Sequence, residues 1–364
     1  MLDYVNPELV IDKKNITPGR IAWRSPSNLA LVKYWGKYGR QLPRNPSISF
    51  TLNNAFTETI LEYRPKENTT DGIALDFFFE KKANELFKNK VEKFLESIRD
   101  IFPFLNQLQI TIHSYNSFPH STGIASSASA MSALAACVCD LERSLFGTLT
   151  NENEFLQKVS FVARLGSGSA SRSVYPHLAI WGASNAAEGA SNLFAIPWGE
   201  RVHPVFRTFR DTILIADRKE KSVSSRAGHG LMENNIFADN RYAQANQRFE
   251  KLLIALREGD LNAFGQITEN EALTLHALMM TSEPSYILMR PNTLTMIEKI
   301  RSYRASTQQP LYFSLDAGPN IHLLYPDEIK EDVGAFIKAE LEALCENKEW
   351  ISDQVGTGAQ RIKG

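Results

Sequence analysis

The stretch Pro119-His120-Ser121-Thr122-Gly123-Ile124-Ala125-Ser126-Ser127-Ala128-Ser129 runs directly into an alanine- and leucine-rich segment that extends to about Leu145. A glycine in such a loop lets the backbone approach an anion closely, and a helix start offers unpaired N–H groups at the positive end of its dipole. Serine hydroxyls add donors and can ligate magnesium. The stretch therefore reads either as a polyphosphate cradle or as a serine-rich cap over a tightly packed alanine helix, and composition does not separate the two. It lacks the glycine-lysine-serine/threonine ending of the P-loop, which excludes that large nucleotide-binding class.

On either side of this stretch the pattern is mixed. Before it, Ile48–Leu52 and Thr57–Leu61 alternate as strands, residues 81–101 carry apolar side chains at helical spacing ahead of Pro103, and Leu108–His113 alternates again. After it, Asn151–Arg164 reads as a helix opening onto the polar loop Gly166-Ser167-Gly168-Ser169-Ala170-Ser171-Arg172. Thr212–Asp217 is a strand candidate, helices follow from about Leu231 to Arg301, and two strands (Leu311–Asp316, Ile321–Tyr325) flank Ala317-Gly318-Pro319-Asn320. A last amphipathic helix covers roughly Lys330 to Cys345. Strands and helices do not alternate regularly, so the class is α+β rather than a doubly wound sheet. A chain of 364 residues accommodates two domains, with a boundary near residues 200 to 210, giving 1–205 and 206–364.

Composition excludes several functions. Forty basic and 41 acidic residues leave no basic surface for nucleic acid. Three cysteines, Cys137, Cys139 and Cys345, have neither CxxC spacing nor a disulfide framework, which fits a reducing cytoplasm. The seven histidines show no HExxH spacing, which argues against metal hydrolysis. The charged, proline-broken N-terminus is no signal peptide, and no apolar run is long enough to span a bilayer.

Four further segments carry possible chemistry. Arg172 ends a glycine- and serine-rich loop, where a guanidinium fork suits a carboxylate; the alternative is a solvated arginine on a surface loop. Asp316 ends an apolar strand beside a sharp turn, where it can accept a hydroxyl proton, help hold magnesium or simply cap the turn. Lys33-Tyr34-Trp35-Gly36-Lys37 and Ser225-Arg226 read equally as anion-binding groups or as ordinary polar segments.

Taken together, Asn28-Leu29-Ala30-Leu31-Val32-Lys33-Tyr34-Trp35-Gly36-Lys37, Gly123-Ile124-Ala125-Ser126-Ser127-Ala128-Ser129, the Gly166–Arg172 loop with Ser173, and Asp316-Ala317-Gly318-Pro319-Asn320 occur in an order that resembles the diphosphomevalonate decarboxylase family of the GHMP kinase superfamily, over about residues 21 to 325. The lysine-tyrosine-tryptophan-glycine-lysine run and the aspartate-alanine-glycine-proline-asparagine turn are the specific matches; the serine loop alone indicates only the superfamily. Three positions depart from the family's pattern. Ala170-Ser171-Arg172 stands for alanine-cysteine-arginine, His120-Ser121-Thr122 for small apolar residues, and His229 for the common methionine. His229 adjoins the expected phosphate pocket and would add a cation if protonated near its ordinary pKa of about 6.5.

The resemblance implies a two-domain GHMP kinase fold, ribosomal protein S5 domain 2-like at the N-terminus and ferredoxin-like at the C-terminus, with a cleft between the domains. It implies ATP-dependent decarboxylation of mevalonate 5-diphosphate to isopentenyl diphosphate with ADP, phosphate and CO2. ATP and Mg²⁺ would lie on Gly123, Ser126, Ser127 and Ser129, with Ser127 and Asp316 near the metal. Asp316 would orient the C3 hydroxyl and take its proton, Lys37 would neutralise the transferring group, and Arg172, supported by Ser167 and Ser169, would hold the carboxylate. Tyr34, Ser225 and Arg226 would bind the substrate's own phosphates. The family suggests a cytoplasmic homodimer. The alternatives are a phosphomevalonate decarboxylase, a mevalonate kinase-like enzyme that stops after phosphorylation, or a non-catalytic nucleotide- or metabolite-binding regulator on the same fold.

Overall fold

The computed structural model describes residues 4–67, 71–118, 124–219, 223 and 225–363, with only the backbone for Ser225 and Arg226. Two sheets organise it. The first is laid down by β1 (Gly19–Val32), the short hairpin pair β2 (Lys37–Tyr38) and β3 (Leu42–Pro43) beyond its end, then β4 (Ser47–Pro65), β5 (Ala74–Phe79), β6 (Lys82–Ala83), α1 (Glu85–Glu96), β7 (Leu108–Asn116), α2 (Ser126–Phe146), α3 (Glu152–Gly166), β8 (Leu178–Trp181) and β9 (Ala195–Pro197). The second is formed by β10 (Arg210–Leu214), α4 (Ser225–Gly230), α5 (Ala238–Glu258), α6 (Leu261–Met280), α7 (Pro291–Thr307), β11 (Tyr312–Ser314), β12 (Ile321–Tyr325), α8 (Lys330–Phe336) and β13 (Trp350–Gln354), before β14 (Gln360–Arg361) returns to the first sheet.

Strand order in the first sheet is β14-β1-β4-β7-β5-β6, with β8 on β4 and β9 on β8; in the second it is β11-β12-β10-β13. All pairs are antiparallel except β5 with β7. Helices α1 to α3 cover one face of the first sheet, and their apolar stripes (Val91, Phe94, Leu95; Leu134, Val138, Leu141; Phe155, Val159, Val162) form one core with Leu61, Ile110 and Ile112. A second core joins the lobes. Phe50 on β4 meets Phe209 and Phe264, and Phe206 meets Phe264 at 5.0 Å between ring centroids.

Several local expectations change. Ile48–Leu52 and Thr57–Leu61 are one 19-residue strand, β4. The intervening Asn53-Asn54 looks like a turn, yet the buried Asp353 carboxylate on β13 accepts the N–H groups of Asn53, Asn54 and Ala55 at 2.7–2.9 Å and holds them extended. This also ties the second sheet to the first. The helix expected from residue 81 starts later, because Asn84 caps it through Phe87 N–H and Lys82–Ala83 pair with β5 instead. The Gly166–Arg172 segment is no surface loop: Gly168–Val174 is a buried helical turn between α3 and β8. The last helix ends at Phe336, and the chain continues to Leu344 in wider and tighter turns.

Candidate active site

The site forms where β1 runs out against α5 and α6. Glu271 on α6 is completely buried and takes two hydrogen bonds from Arg241 of α5, at 2.7 and 2.6 Å, and one from Arg248 at 2.9 Å. Burial pushes the Glu271 carboxyl up, and the two guanidinium groups outweigh it and hold it below the ordinary carboxylate range. Its remaining capacity goes to the backbone: Lys33 N–H donates to Oε2 at 2.8 Å, Arg241 Nη2 donates to Lys33 O at 3.2 Å, and Asn45 Nδ2 donates to the same carbonyl. The residue after β1 is thus fixed by both of its peptide groups.

That anchoring aims the Lys33 side chain, itself 2% exposed, at the turn after β11. Its Nζ lies 2.9 Å from Asp316 Oδ1. Asp316 is held at its own backbone by His276 of α6, whose Nε2–H donates to Asp316 O at 3.1 Å. Burial keeps His276 neutral, down to about 4. The pair joins residues 283 positions apart, one from each sheet's lobe.

Arg172 lies within electrostatic reach of Asp316. It is 1% exposed and has no carboxylate hydrogen-bonded to it among the described residues. Nε donates to Ser49 Oγ at 2.5 Å, Nη1 to Ser47 Oγ at 2.7 Å, and Nη2 reaches Asn28 Oδ1 at 3.5 Å. Asn28 in turn donates to Ser169 O and Ser173 Oγ. Burial pulls the guanidinium down to about 10, so it stays charged at neutral pH with only neutral groups hydrogen-bonded to it. The Trp181 ring lies 5.7 Å away, and Tyr34 packs edge-on against that ring at 4.7 Å. Tyr34 Oη is buried without a partner, and burial raises its pKa.

The serines divide. Ser126 and Ser127 begin α2, a 21-residue helix preceded by Ala125 at φ 34°, and Ser127 is exposed with its hydroxyl 3.4 Å from Ser167 Oγ. Ser129 is fully buried; it bonds Thr57 Oγ1 at 2.7 Å and Ser126 O at 3.2 Å, so its hydroxyl braces the helix start from within. Next to Ser126 and Ser127 a cavity of about 140 Å³, open to solvent, runs between β5, β7, α1 and α2, with Phe77, Phe79, Phe87, Met131 and Lys90 on its walls. Gly123 lies outside the described residues, as do the side chains of Ser225 and Arg226.

The structure also places two further residues that the sequence singled out, Lys37 and His229. Lys37 sits in the β2–β3 hairpin and donates to Gln41 Oε1 at 3.0 Å. Lys33, in the same motif, makes the contact to Asp316. Both lysines flank Tyr-Trp-Gly, and only their burial separates them. His229 is no second cation. It is buried, its Nδ1 accepts Gly36 N–H at 3.0 Å, and burial with Lys37 and Arg172 nearby pushes it down to about 3. Ser47 and Ser49, which hold Arg172, carry no sequence signal, since alternate serines on a strand are commonplace.

Comparison with known proteins accords with this geometry. The diphosphomevalonate decarboxylase-like N-terminal domain matches residues 25–192, and the mevalonate 5-diphosphate decarboxylase C-terminal domain matches residues 212–362. The diphosphomevalonate decarboxylase of Schizosaccharomyces pombe is 28% identical over 350 residues, spanning 92% of this chain and 84% of that protein. That of Saccharomyces cerevisiae is 28% identical over 325 residues, spanning 86% and 79%. Among solved structures, mevalonate diphosphate decarboxylase from Staphylococcus aureus aligns with a TM-score of 0.80 at 27% identity, covering 95% of this chain and 99% of that one. MDDEF in complex with MVAPP, AMPPCP and magnesium aligns with a TM-score of 0.78 at 26% identity, covering 96% and 100%. The two-domain α+β architecture is accordingly of the GHMP kinase type. Matched in both domains and in order, the chain belongs to the diphosphomevalonate decarboxylase family.

Proposed function

We propose that the protein uses ATP to convert mevalonate 5-diphosphate to isopentenyl diphosphate, ADP, phosphate and CO2, with Asp316, Lys33 and Arg172 at the centre of the reaction. The observation that carries this reading is Arg172. A buried charge with only neutral partners is costly unless an anion completes it. Asp316 reaches Arg172 electrostatically without hydrogen-bonding to it, so the fork keeps room for a hydrogen-bonded anion, and a substrate carboxylate matches a planar fork. Of the five guanidinium N–H groups, three point to Ser49, Ser47 and Asn28, which leaves two for a carboxylate. Ser47 and Ser49 then fix its orientation, and Ser167 and Ser169 support the carboxylate.

Asp316 orients the C3 hydroxyl and accepts its proton as that oxygen takes the γ-phosphoryl group. Phosphoryl transfer is loose, so alignment and charge balance matter more than base strength. Lys33 supplies the alignment by pinning one carboxylate oxygen, and Lys37 neutralises charge on the transferring group. The tertiary C–O bond then breaks with phosphate as the leaving group. The C1–C2 bonding pair becomes the new double bond, and the carboxylate beside Arg172 departs as CO2.

The nucleoside of ATP fits the aromatic-walled cavity beside Ser126 and Ser127, with its phosphates at the positive end of α2. Magnesium fits as an ion carried mainly by those phosphates. Among the described residues no cluster of three or more His, Cys, Asp or Glu could hold it, and Ser127 offers an accessible hydroxyl. When bound, it supplies charge neutralisation on the polyphosphate. Tyr34 Oη, buried and unpartnered, would donate to a phosphate or carboxylate oxygen, and Arg226 on α4 is assigned to the substrate's distal phosphate. We place the domain boundary at 205/206, just before β10.

Purified protein with ATP, Mg²⁺ and either mevalonate mono- or diphosphate tests the reading directly. CO2 and ADP released in equal amounts from the diphosphate support it. ADP without CO2 indicates a kinase, and neither product indicates a binding protein.

A further inference from the structure

The sequence leaves His229 unexplained, and the structure places it at a junction. Its imidazole lies between two aromatic rings of the β1–β2 turn, with centroids 4.3 Å from Tyr34 and 4.6 Å from Trp35. Its Nδ1 accepts the N–H of Gly36 in the same turn. Gly36 has φ +98°, a conformation open to glycine, and a Cβ there would strike the Tyr242 hydroxyl at 2.2 Å. Residue 228, just before the histidine, is also a glycine pressed on the same surface: a Cβ would come within 2.6 Å of the Trp35 ring and the Tyr286 hydroxyl. The short helix α4 therefore reaches the β1–β2 turn through one hydrogen bond, two ring contacts and a close glycine approach. That turn follows Lys33 and contains Tyr34; α4 begins with Ser225 and Arg226.

We infer that His229 is a positioning residue, an uncharged clasp that seats α4 on the Tyr34–Gly36 turn and so fixes the phosphate-binding end of the site relative to the Lys33–Asp316 centre. This rests on the proposed function and deepens it. Accepting at Nδ1 leaves the single proton of the neutral ring on Nε2. Among the described residues, the charged and titratable groups facing it are Lys37 and Arg172, both cations, with the Tyr34 ring tilted against it. Tyr242 and Tyr286 line the adjoining Gly36 and Gly228. Two cations and burial all oppose protonation, so the clasp stays neutral through the physiological range. Protonation would replace the Nδ1 acceptor with a donor facing Gly36 N–H and open the contact.

Two variants separate the hydrogen bond from the ring contacts. His229→Phe keeps an aromatic ring between Tyr34 and Trp35 and removes the acceptor. His229→Asn keeps an amide oxygen close to the Nδ1 position and gives up most of the ring area. For His229→Phe, the KM for mevalonate diphosphate rises about tenfold with kcat and the KM for ATP changed less than about threefold, because a contact that positions a distal phosphate acts alike in ground and transition states. His229→Asn recovers most of that loss. In wild type, the ¹⁵N-histidine signal that is lost in His229→Phe carries its proton on Nε2 and does not titrate between about pH 5.5 and 8, against an ordinary value of about 6.5. That spectrum needs no turnover, so it stands even if the assigned reaction fails. A His229 signal that titrates near 6.5, a proton on Nδ1, or a His229→Phe loss falling on kcat and ATP alike would overturn the inference.

Discussion

The Lys33→Met substitution tests the assignment most sharply, because it removes one charge while leaving the backbone clamp in place. Glu271, Arg241 and Asn45 hold the Lys33 peptide groups, not its side chain. Methionine is unbranched and close in length, so it fills the same channel. What is lost is the 2.9 Å contact to Asp316. At an effective dielectric of about 20, two unit charges at that distance interact by on the order of 5 kcal/mol before desolvation is counted. Removing one member of a buried pair typically costs about 3–5 kcal/mol, and the lower end applies here because Asp316 keeps some solvent contact. The same loss expressed in the barrier is about two decades in rate. Chemical denaturation should therefore show a stability loss of about 3 kcal/mol, and kcat measured by ADP and CO2 release should fall about 100-fold. Adding Asp316→Asn removes the other member of the pair, so the double variant should lose less stability than the sum of the two single variants while remaining inactive. A Lys33→Met enzyme retaining more than about a third of wild-type kcat would refute the reasoning.

Asp316→Asn alone should bind ATP nearly normally and lose about 10²–10⁴-fold in kcat; retention of more than about a tenth of the rate removes it from the proton-accepting role. Arg172→Lys should be poorly tolerated, since one ammonium cannot serve Ser47, Ser49 and a carboxylate together, and an unchanged kcat/KM would leave Arg172 with a purely structural part. Arg226→Ala should erode a preference for the diphosphate of about tenfold, roughly 1.4 kcal/mol, mainly through KM; faster turnover of the monophosphate by wild type would reassign the substrate. Glu271→Gln should destabilise the fold by about 3–5 kcal/mol at neutral pH. Because the folded-state pKa of Glu271 is depressed, its contribution is fully present above the unfolded value of about 4.3 and is lost as pH falls through the folded value, so the wild-type and variant denaturation curves should converge only in acid.

Local sequence was sufficient where chemistry is carried by order along the chain. The helix from Ser126, the strand–turn at Asp316 and the Asn151-capped α3 appear where their own residues put them, because caps, glycines and apolar period act within a few positions. The same motifs named Asp316, Arg172, Tyr34 and the serine loop as the candidate set. Tertiary structure decided the rest, and in each case through a partner far away in sequence. Asn53-Asn54 is extended because Asp353, some 300 residues on, takes its N–H groups. Lys33 meets Asp316 because Glu271 and Arg241 fix the strand end at which it sits. His229 is neutral because burial and two neighbouring cations oppose its proton. Periodicity and residue type report what a segment prefers by itself. Which of two lysines is desolvated, and which charge a histidine keeps, depend on dielectric and on charges brought close only by folding, and neither quantity is written in any local stretch of the chain.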